Sequence, residues 1–231
     1  MSTANLNKQD SSALIDISQT LRAGIPVWPG DTQYQSETIW HIDEQCPVNV
    51  SWLHCSTHTG THADAPYHYD QDGKVMAQVA LDAYIGECQV IDLTQLDTKG
   101  QGIEGKSIRL DDCQALINTQ TDAIKRVLFK TYQNFPVNEW DENFVSISQE
   151  VISWLGQAGC ILVGIDSPSL DPQNSKNLAA HKAIKEQGMA ILEGLVFDQV
   201  AAGKYELIAL PLKLADLDAS PVRAILRPLA P

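Results

Sequence analysis

Three of the six histidines in this chain lie in one short stretch, STHTGTHADAPYHY, which spans residues 56–69. His58, His62 and His68 share that stretch with Asp64, and all four have even numbers. Side chains two residues apart lie on one face of extended backbone, so an extended chain that bends would direct these four groups the same way. Imidazole nitrogens and carboxylate oxygens are ligands of zinc and similar divalent ions. The spacing therefore predicts a metal site.

The residues between these groups favour extended backbone over a helix, although a spacing of four would also align His58 with His62 on a helix. Gly60, its flanking threonines and Pro66 are all poor residues for a helix interior. Gly60 is expected to lack a side chain because a β-carbon there would crowd whatever lies between its neighbours. A single histidine is ordinarily a surface or core residue, but four such groups in one stretch favour a metal.

The composition excludes several classes of partner. With 29 acidic and 16 basic residues the formal charge is −13, and no Lys/Arg cluster offers a surface for nucleic acid or for anionic lipid. No apolar run approaches the roughly 20 residues of a membrane span. The polar first twelve residues lack the apolar segment of a secretory signal, which favours the cytoplasm. The five cysteines include no C-x-x-C pair and are expected to be reduced and structural.

The chain is predicted to form one domain, residues 1–231, since single domains often reach this length. It is predicted to belong to the α/β class because short apolar runs alternate with helical patterns after residue 86. Ser148 and Gly159 bound one predicted helix, and Gly188 ends a second that starts at residue 177. A loop rich in proline and glycine, PVWPGDT, covers 26–32. Together these elements predict a mixed β-sheet with flanking helices. The predicted strands are 13–18, 49–56, 88–93, 126–131, 160–166, 189–195, 205–214 and 221–229.

HTGTHADAPYH, at 58–68, resembles the H-x-G-T-H-x-D-x-P-x-H signature of the metal-dependent cyclase superfamily. Other segments are similar to the bacterial kynurenine formamidases within that group, and the likeness extends from about residue 14 to about 228. It implies a cyclase-like, swivelling β/β/α fold and a homodimer. The segments that carry this likeness are PVWPGDT (26–32), DEQCPVNV (43–50), LVGIDSPSLDPQNSKNLAAH (162–181), AILEGLVFD (190–198) and LPLKLADLDASPVRAIL (210–226).

The resemblance also implies a site with two Zn²⁺ ions per subunit, although the ligand types admit Mn²⁺, cobalt or iron as well. His58 and His62 would bind one ion, and Asp64 would bridge it to the second. His181 would bind the second ion, and Glu193 would contact both. The roles implied for the remaining two positions are proton transfer by His68 and contact with the substrate by Trp28.

His181 and Trp28 lie far from the motif, and each also has an interpretation that involves no metal or substrate. His181 alone would be a histidine on a helix surface, and Trp28 alone would pack against the fold. Glu193 lies in an apolar run, where an unpaired buried carboxylate would cost several kcal/mol, so a nearby metal explains its position. His54 and Cys55 are expected to be structural.

The reaction predicted for this family is the hydrolysis of N-formyl-L-kynurenine to L-kynurenine and formate. Zinc lowers the pKa of a bound water molecule to about 7, so the metals would generate the nucleophile and His68 would move protons. One alternative is another hydrolase of the superfamily, such as a manganese-dependent enzyme that opens isatin. A serine hydrolase would need a G-x-S-x-G elbow, which is absent from the sequence. A non-catalytic metal-binding protein is the remaining alternative.

Overall fold

The computed structural model describes residues 14–95, 106–117 and 124–229. Within these residues the chain forms thirteen strands and three α-helices, together with four short 3₁₀ turns. The strands are β1 (Ile15–Asp16), β2 (Gln35–Trp40), β3 (Val50–His54), β4 (His62–Asp64), β5 (Ile85–Asp92), β6 (Ser107–Ile108), β7 (Arg126–Lys130), β8 (Ser146–Ile147), β9 (Leu162–Ile165), β10 (Ala190–Glu193), β11 (Gly203–Ile208), β12 (Ala219–Pro221) and β13 (Ile225–Pro228). The helices are α1 (Leu110–Cys113), α2 (Gln149–Gln157) and α3 (Ala179–Gln187).

Nine strands form one mixed sheet in the order β1-β13-β11-β5-β7-β9-β10-β4-β12. The central run from β5 through β7 and β9 to β10 is parallel, and the strands on either side pair antiparallel. Two smaller sheets pair β2 with β3 and β6 with β8. The predicted α/β class with a mixed sheet is therefore confirmed.

The strands β7 and β9 are buried along their whole length, which explains the apolar runs VLF and LVGI that they contain. Val127 and Phe129 of β7 belong to one hydrophobic cluster, which also contains the buried faces of α2 and α3. Leu128, between them, belongs to the other cluster. That second cluster includes Ala63 on β4 and Leu226 on β13, which lie near opposite ends of the sheet. The sheet is therefore curled around it.

The two longer helices begin and end within two residues of their predicted bounds. The Ser148 side chain accepts a hydrogen bond from the Val151 amide at the start of α2, as an N-cap serine does. Gly188 follows α3 with φ of 65°, in the left-handed region that glycine adopts most easily. No helix in the described ranges has the length and hydrophobicity needed to cross a membrane.

Several predicted strand boundaries are wrong for identifiable reasons. The predicted strand 205–214 stops at Ile208, shortly before Pro211, which has no amide hydrogen to donate to a sheet. The strand predicted at 189–195 ends at Glu193 because Gly194 turns the chain with φ of 65°. The strand β2 was not predicted. The start of the first predicted strand at residue 13 and the polar N-terminal segment lie outside the described residues.

Gly188 and Gly194 offer a matched test of how the sheet is joined to the turn at 58–61. Both have φ of 65°, but a β-carbon at Gly188 would meet nothing within 4 Å, whereas one at Gly194 would lie 2.6 Å from the Gly60 carbonyl oxygen. Gly188→Ala should lower the free energy of unfolding by about 1–2 kcal/mol, the cost of left-handed backbone. Gly194→Ala should lower it by a further ~1–3 kcal/mol, because this contact cannot relax freely. Urea unfolding followed by circular dichroism measures both, and equal losses would contradict the close approach.

Candidate metal centre

The strand β4 lies between β10 and β12 and places two of the predicted ligands on one face. His62 and Asp64 are two residues apart on this strand, so their side chains point the same way. Glu193 on β10 is directly opposite His62 in the antiparallel register, which places its side chain on that same face. All three side chains are buried. The sheet thus brings a histidine and two carboxylates together.

The predicted chain that is extended but bends is extended at residues 62–64 and turns on either side of them. Gly60, with φ of 70°, turns the chain before β4, and Pro66–His68 form a 3₁₀ turn after it. Proline at the start of such a turn is favoured because its φ is already close to the helical value. His58 and His68 therefore reach the site from turns at the two ends of β4.

Glycine at position 60 was predicted because a β-carbon would crowd the space between its neighbours, and this reason is wrong. A β-carbon there would lie 2.8 Å from a Leu21 side-chain carbon, away from the histidines. Position 60 requires glycine because of its positive φ and this contact with Leu21, which packs against the turn.

His181 enters from the first turn of α3, and the connection through Gly188 returns the chain directly into β10. Because α3 and β10 run in opposite directions, the start of the helix and the end of the strand lie at the same edge of the sheet. His181 Nε2 accordingly lies 3.6 Å from Glu193 Oε1. The predicted helix–strand turn does bring these two residues together.

Asp64 is the centre of the cluster. Its Oδ1 lies 3.2 Å from His58 Nδ1 and 3.5 Å from His62 Nε2, and its Oδ2 lies 3.4 Å from His181 Nε2. His62 Nε2 is also 3.3 Å from Glu193 Oε2. Among the described residues, two groups of three side chains have ligand atoms within 4.8 Å of one another, and Asp64 belongs to both. These groups are His58, Asp64 and His68, and His62, Asp64 and Glu193.

In His58, His62 and His181, the ring nitrogen that faces away from Asp64 makes a hydrogen bond. His181 Nδ1 lies 2.7 Å from Asp171 Oδ2, His62 Nδ1 lies 2.9 Å from the Gly60 carbonyl oxygen, and His58 Nε2 lies 3.1 Å from Asp218 Oδ2. Histidines that bind metals ordinarily donate their other N–H to a carboxylate or a carbonyl, which fixes the tautomer and the ring orientation. The arrangement leaves the nitrogen that faces Asp64 free for a metal.

Sequence reasoning did not identify Asp171 and Asp218. Each lies in a segment that resembles the family, but neither has a spacing to the histidine motif that would identify it. Both acquire their roles only when the sheet brings them to the cluster.

The buried polar atoms at the centre fit a cation. His62 Nε2, His181 Nε2 and both carboxylate oxygens of Asp64 are buried without a hydrogen-bond partner among the described residues. Unpaired buried polar groups are costly, and a divalent ion would give all four a partner. Nitrogen and oxygen donors in this number are the ligand set of zinc and similar ions, so the residues present fit a metal site.

The carboxylates also determine the charges of the histidines. Burial lowers the pKa of His181, but the Asp171 and Asp64 carboxylates more than reverse this and raise it to about 10. In the same way burial lowers the pKa of His58, and Asp64 and Asp218 raise it to about 9. Burial raises the pKa of Asp218, but contacts with His58 and Thr57 hold it at about 2. The cluster therefore attracts positive charge, and a metal ion would bind there in place of the protons.

A pocket of about 330 Å³ opens above the cluster. His58, His62, His68, His181 and Glu193 line its floor, and the aromatic residues Trp28, Tyr132, Phe135 and Trp140 line its walls. The Trp28 ring packs edge to face against Trp140 and Phe144, with centroids 5.5 Å and 6.2 Å away, and is 36% exposed. Trp28 thus both packs against the fold and borders the pocket. His54 is exposed and does not line the pocket, as expected for a structural residue.

A model of the family described as "Putative cyclase" matches residues 15–172, which is more than half of the chain. The chain belongs to this cyclase family. Two relatives named kynurenine formamidase come from Erythrobacter litoralis (strain HTCC2594) and Maricaulis maris (strain MCS10). They are 48% and 49% identical over 214 residues, which cover 93% of this chain and 93% and 97% of theirs.

A solved structure supports the same assignment at the level of the fold. It is described as a potential metal-dependent hydrolase with cyclase activity, and it matches with a TM-score of 0.78 and 28% identity. The match covers 95% of this chain and 99% of that one. The predicted cyclase-like fold is therefore confirmed.

The metal content of three variants tests the ligand set of this cyclase-family site. Asp64→Ala should lose at least one equivalent of metal in elemental analysis, because Asp64 belongs to both candidate groups. His68→Ala should retain its metal if His68 moves protons rather than binding the ion. Asp70→Ala is the control, because Asp70 pairs with Lys185 outside the cluster. Full metal in Asp64→Ala would reject the bridging role, and metal loss in His68→Ala would make His68 a ligand.

Proposed function

We propose that this chain is a metal-dependent kynurenine formamidase, which hydrolyses N-formyl-L-kynurenine to L-kynurenine and formate. One observation carries the proposal. A buried cluster of histidines and carboxylates forms the floor of an aromatic pocket, in a chain nearly half identical to proteins named kynurenine formamidase.

In this proposal His58, His62 and Asp64 would hold one Zn²⁺ ion, and Asp64 and His181 would hold a second, with Glu193 as a ligand available to both. When bound, such ions acidify water and stabilise negative charge that develops on a carbonyl oxygen. Asp64 suits the bridging position because its two oxygens face different histidines, His58 through Oδ1 and His181 through Oδ2. Manganese or another divalent ion would also suit this ligand set.

His68 is the residue proposed to transfer protons. It lies at the edge of the cluster, more exposed than His62 or His181, and its ring centroid is 4.3 Å from that of His58. Its Nδ1 faces Asp218 at 3.4 Å, which leaves Nε2 available to a bound substrate. As the carbon–nitrogen bond of the formamide breaks, His68 would donate a proton to the departing aryl nitrogen.

The pocket walls suit an aryl substrate. Trp28 is held by its contacts with Trp140 and Phe144, and its exposed part borders the pocket. A fixed aromatic face of this kind packs well against a flat ring with little loss of side-chain entropy. Trp28 is therefore proposed to contact the aromatic ring of the substrate.

Assays with N-formyl-L-kynurenine and isatin side by side test this proposal. The chain should hydrolyse the formamide faster than it opens isatin, and removal of metal by a chelator should abolish the activity until zinc is restored. His68→Ala should lower turnover of the formamide by about 10²–10⁴-fold, the usual contribution of a proton-transferring histidine. Faster turnover of isatin would assign the chain to the alternative hydrolase activity. Activity that survives full removal of metal would contradict the proposed mechanism.

We also propose that the chain is a homodimer that uses the β2–β3 hairpin. These two strands contact mainly each other, and an isolated two-stranded hairpin is only marginally stable in water. The hairpin nevertheless exposes large apolar side chains, including Trp40 at 56% and Leu53 at 61%. Several large apolar side chains exposed together mark an interaction site, and a second copy of the chain would cover them. We also infer a cytoplasmic location, since the five cysteines, all in described residues, are free and free thiols are typical of a reducing compartment.

The oligomeric state of a hairpin variant tests the dimer. Trp40→Ser combined with Leu53→Ser should shift the molar mass measured by light scattering from that of a dimer to about 25.3 kDa, the mass of one chain. Leu81→Ser is the control, since Leu81 is similarly exposed but lies outside the hairpin. A monomeric parent protein, or an unchanged dimer in the double variant, would reject the hairpin as the interface.

A further inference from the structure

Asp218 collects three hydrogen-bond donors from the turns that flank β4. Its Oδ1 lies 3.0 Å from Thr57 Oγ1, while its Oδ2 lies 3.1 Å from His58 Nε2 and 3.4 Å from His68 Nδ1. The carboxylate therefore joins a candidate metal ligand to the candidate proton-transferring residue. Neither the sequence motif nor the family resemblance assigns it a role.

The backbone holds Asp218 firmly in this position. It directly precedes β12, whose residues Ala219 and Pro221 pair with Asp64 and His62 of β4. Its carbonyl oxygen also accepts a hydrogen bond from the Ala65 amide at 2.8 Å. The strand β4, which carries His62 and Asp64, thus fixes the backbone of Asp218 along the edge that pairs with β12. A side chain set on so rigid an element can define the orientation of its partners.

We propose that Asp218 is a positioning residue that orients His68 for proton transfer, an inference that rests on the proposed formamidase activity. By accepting a hydrogen bond from Nδ1–H of His68, Asp218 holds the ring in the tautomer whose unprotonated Nε2 faces the substrate. Nε2 takes the proton released by the attacking water. When the carbon–nitrogen bond breaks, its electron pair passes to the nitrogen, which takes this proton from Nε2, and the formic acid produced loses its own proton to solvent.

An asparagine at position 218 would preserve the size of the side chain but not its function. An ionised carboxylate only accepts hydrogen bonds, and all three contacts of Asp218 can be made by N–H or O–H donors. An amide has one accepting oxygen, which can still face both histidines while its NH₂ group donates to Thr57 Oγ1, because a hydroxyl accepts as well as donates. The amide oxygen is neutral, however, and accepts a weaker hydrogen bond than a carboxylate does. Asp218→Asn therefore weakens the contacts to His58 and His68 with little change in shape.

The test compares two substrates that differ in their need for a proton. The departing aryl nitrogen of N-formyl-L-kynurenine must be protonated, whereas the 4-nitrophenolate released from 4-nitrophenyl formate is a good leaving group without a proton. Asp218→Asn should lower kcat for the formamide by roughly 10–100-fold, with KM nearly unchanged, as for other residues that orient a site through a second residue. The loss with the ester should be much smaller. Asp216→Asn removes a charge from the same loop at an exposed position and is the matched control.

A double-mutant cycle and metal analysis complete the test. Adding Asp218→Asn to His68→Ala should cause no further loss of formamide hydrolysis, since residues that act as a unit are not additive. Equal losses with both substrates, additive losses in the double variant, or loss of metal from Asp218→Asn would each overturn the positioning role. If the parent protein does not hydrolyse the formamide but opens isatin, the proposed function fails. The same cycle with isatin, also an amide, then decides the role of Asp218 separately.

Discussion

The whole site depends on the burial of Asp64 between three imidazoles. Its carboxylate is fully desolvated, a condition that by itself strongly disfavours a charge. Burial raises the pKa of Asp64, but the nearby imidazoles of His181 and His58 hold it well below its usual value. A charged group in this position must be surrounded by positive partners. The imidazoles at 58, 62 and 181, and any cation they bind with Asp64, supply that positive environment.

The same constraint organises the elements around the sheet. The acceptors that hold the outer nitrogens of the three histidines come from separate places: Asp171 ahead of α3, the Gly60 carbonyl in the turn before β4, and Asp218 ahead of β12. Asp171 also accepts hydrogen bonds from the backbone amides of Ala180 and His181, so it caps the start of α3 while it orients the His181 ring. The hydrogen bonds of Asp171 therefore orient the His181 ring and stabilise the start of α3 at the same time.

The local sequence predicted what depends on local geometry. The alternation of His62 and Asp64, the Ser148 cap of α2 and the Gly188 stop of α3 each follow from a few adjacent residues, and the structure has all three. The family resemblance extended this to His181 and Glu193, which no local pattern joins to the motif. Asp171, Asp218 and the correct reason for glycine at 60 were not predicted, because they depend on contacts made only in the folded chain. The hairpin strand β2 escaped too, since its mixed polar sequence, QSETIW, is exposed and lacks the pattern of a buried strand.

The candidate metal ligands and the aromatic residues of the pocket walls lie on different kinds of element. Most of the candidate metal ligands lie on or at the ends of β4, β10 and α3, where sheet register fixes their relative positions. The aromatic walls come instead from loops, with Trp28 in 26–32 and Trp140 between β7 and β8. Loops tolerate changes in sequence and length far better than paired strands do. Under the proposed function the buried cluster supplies the chemistry, and the loops that carry Trp28 and Trp140 would decide whether an open formamide or a cyclic amide reaches it.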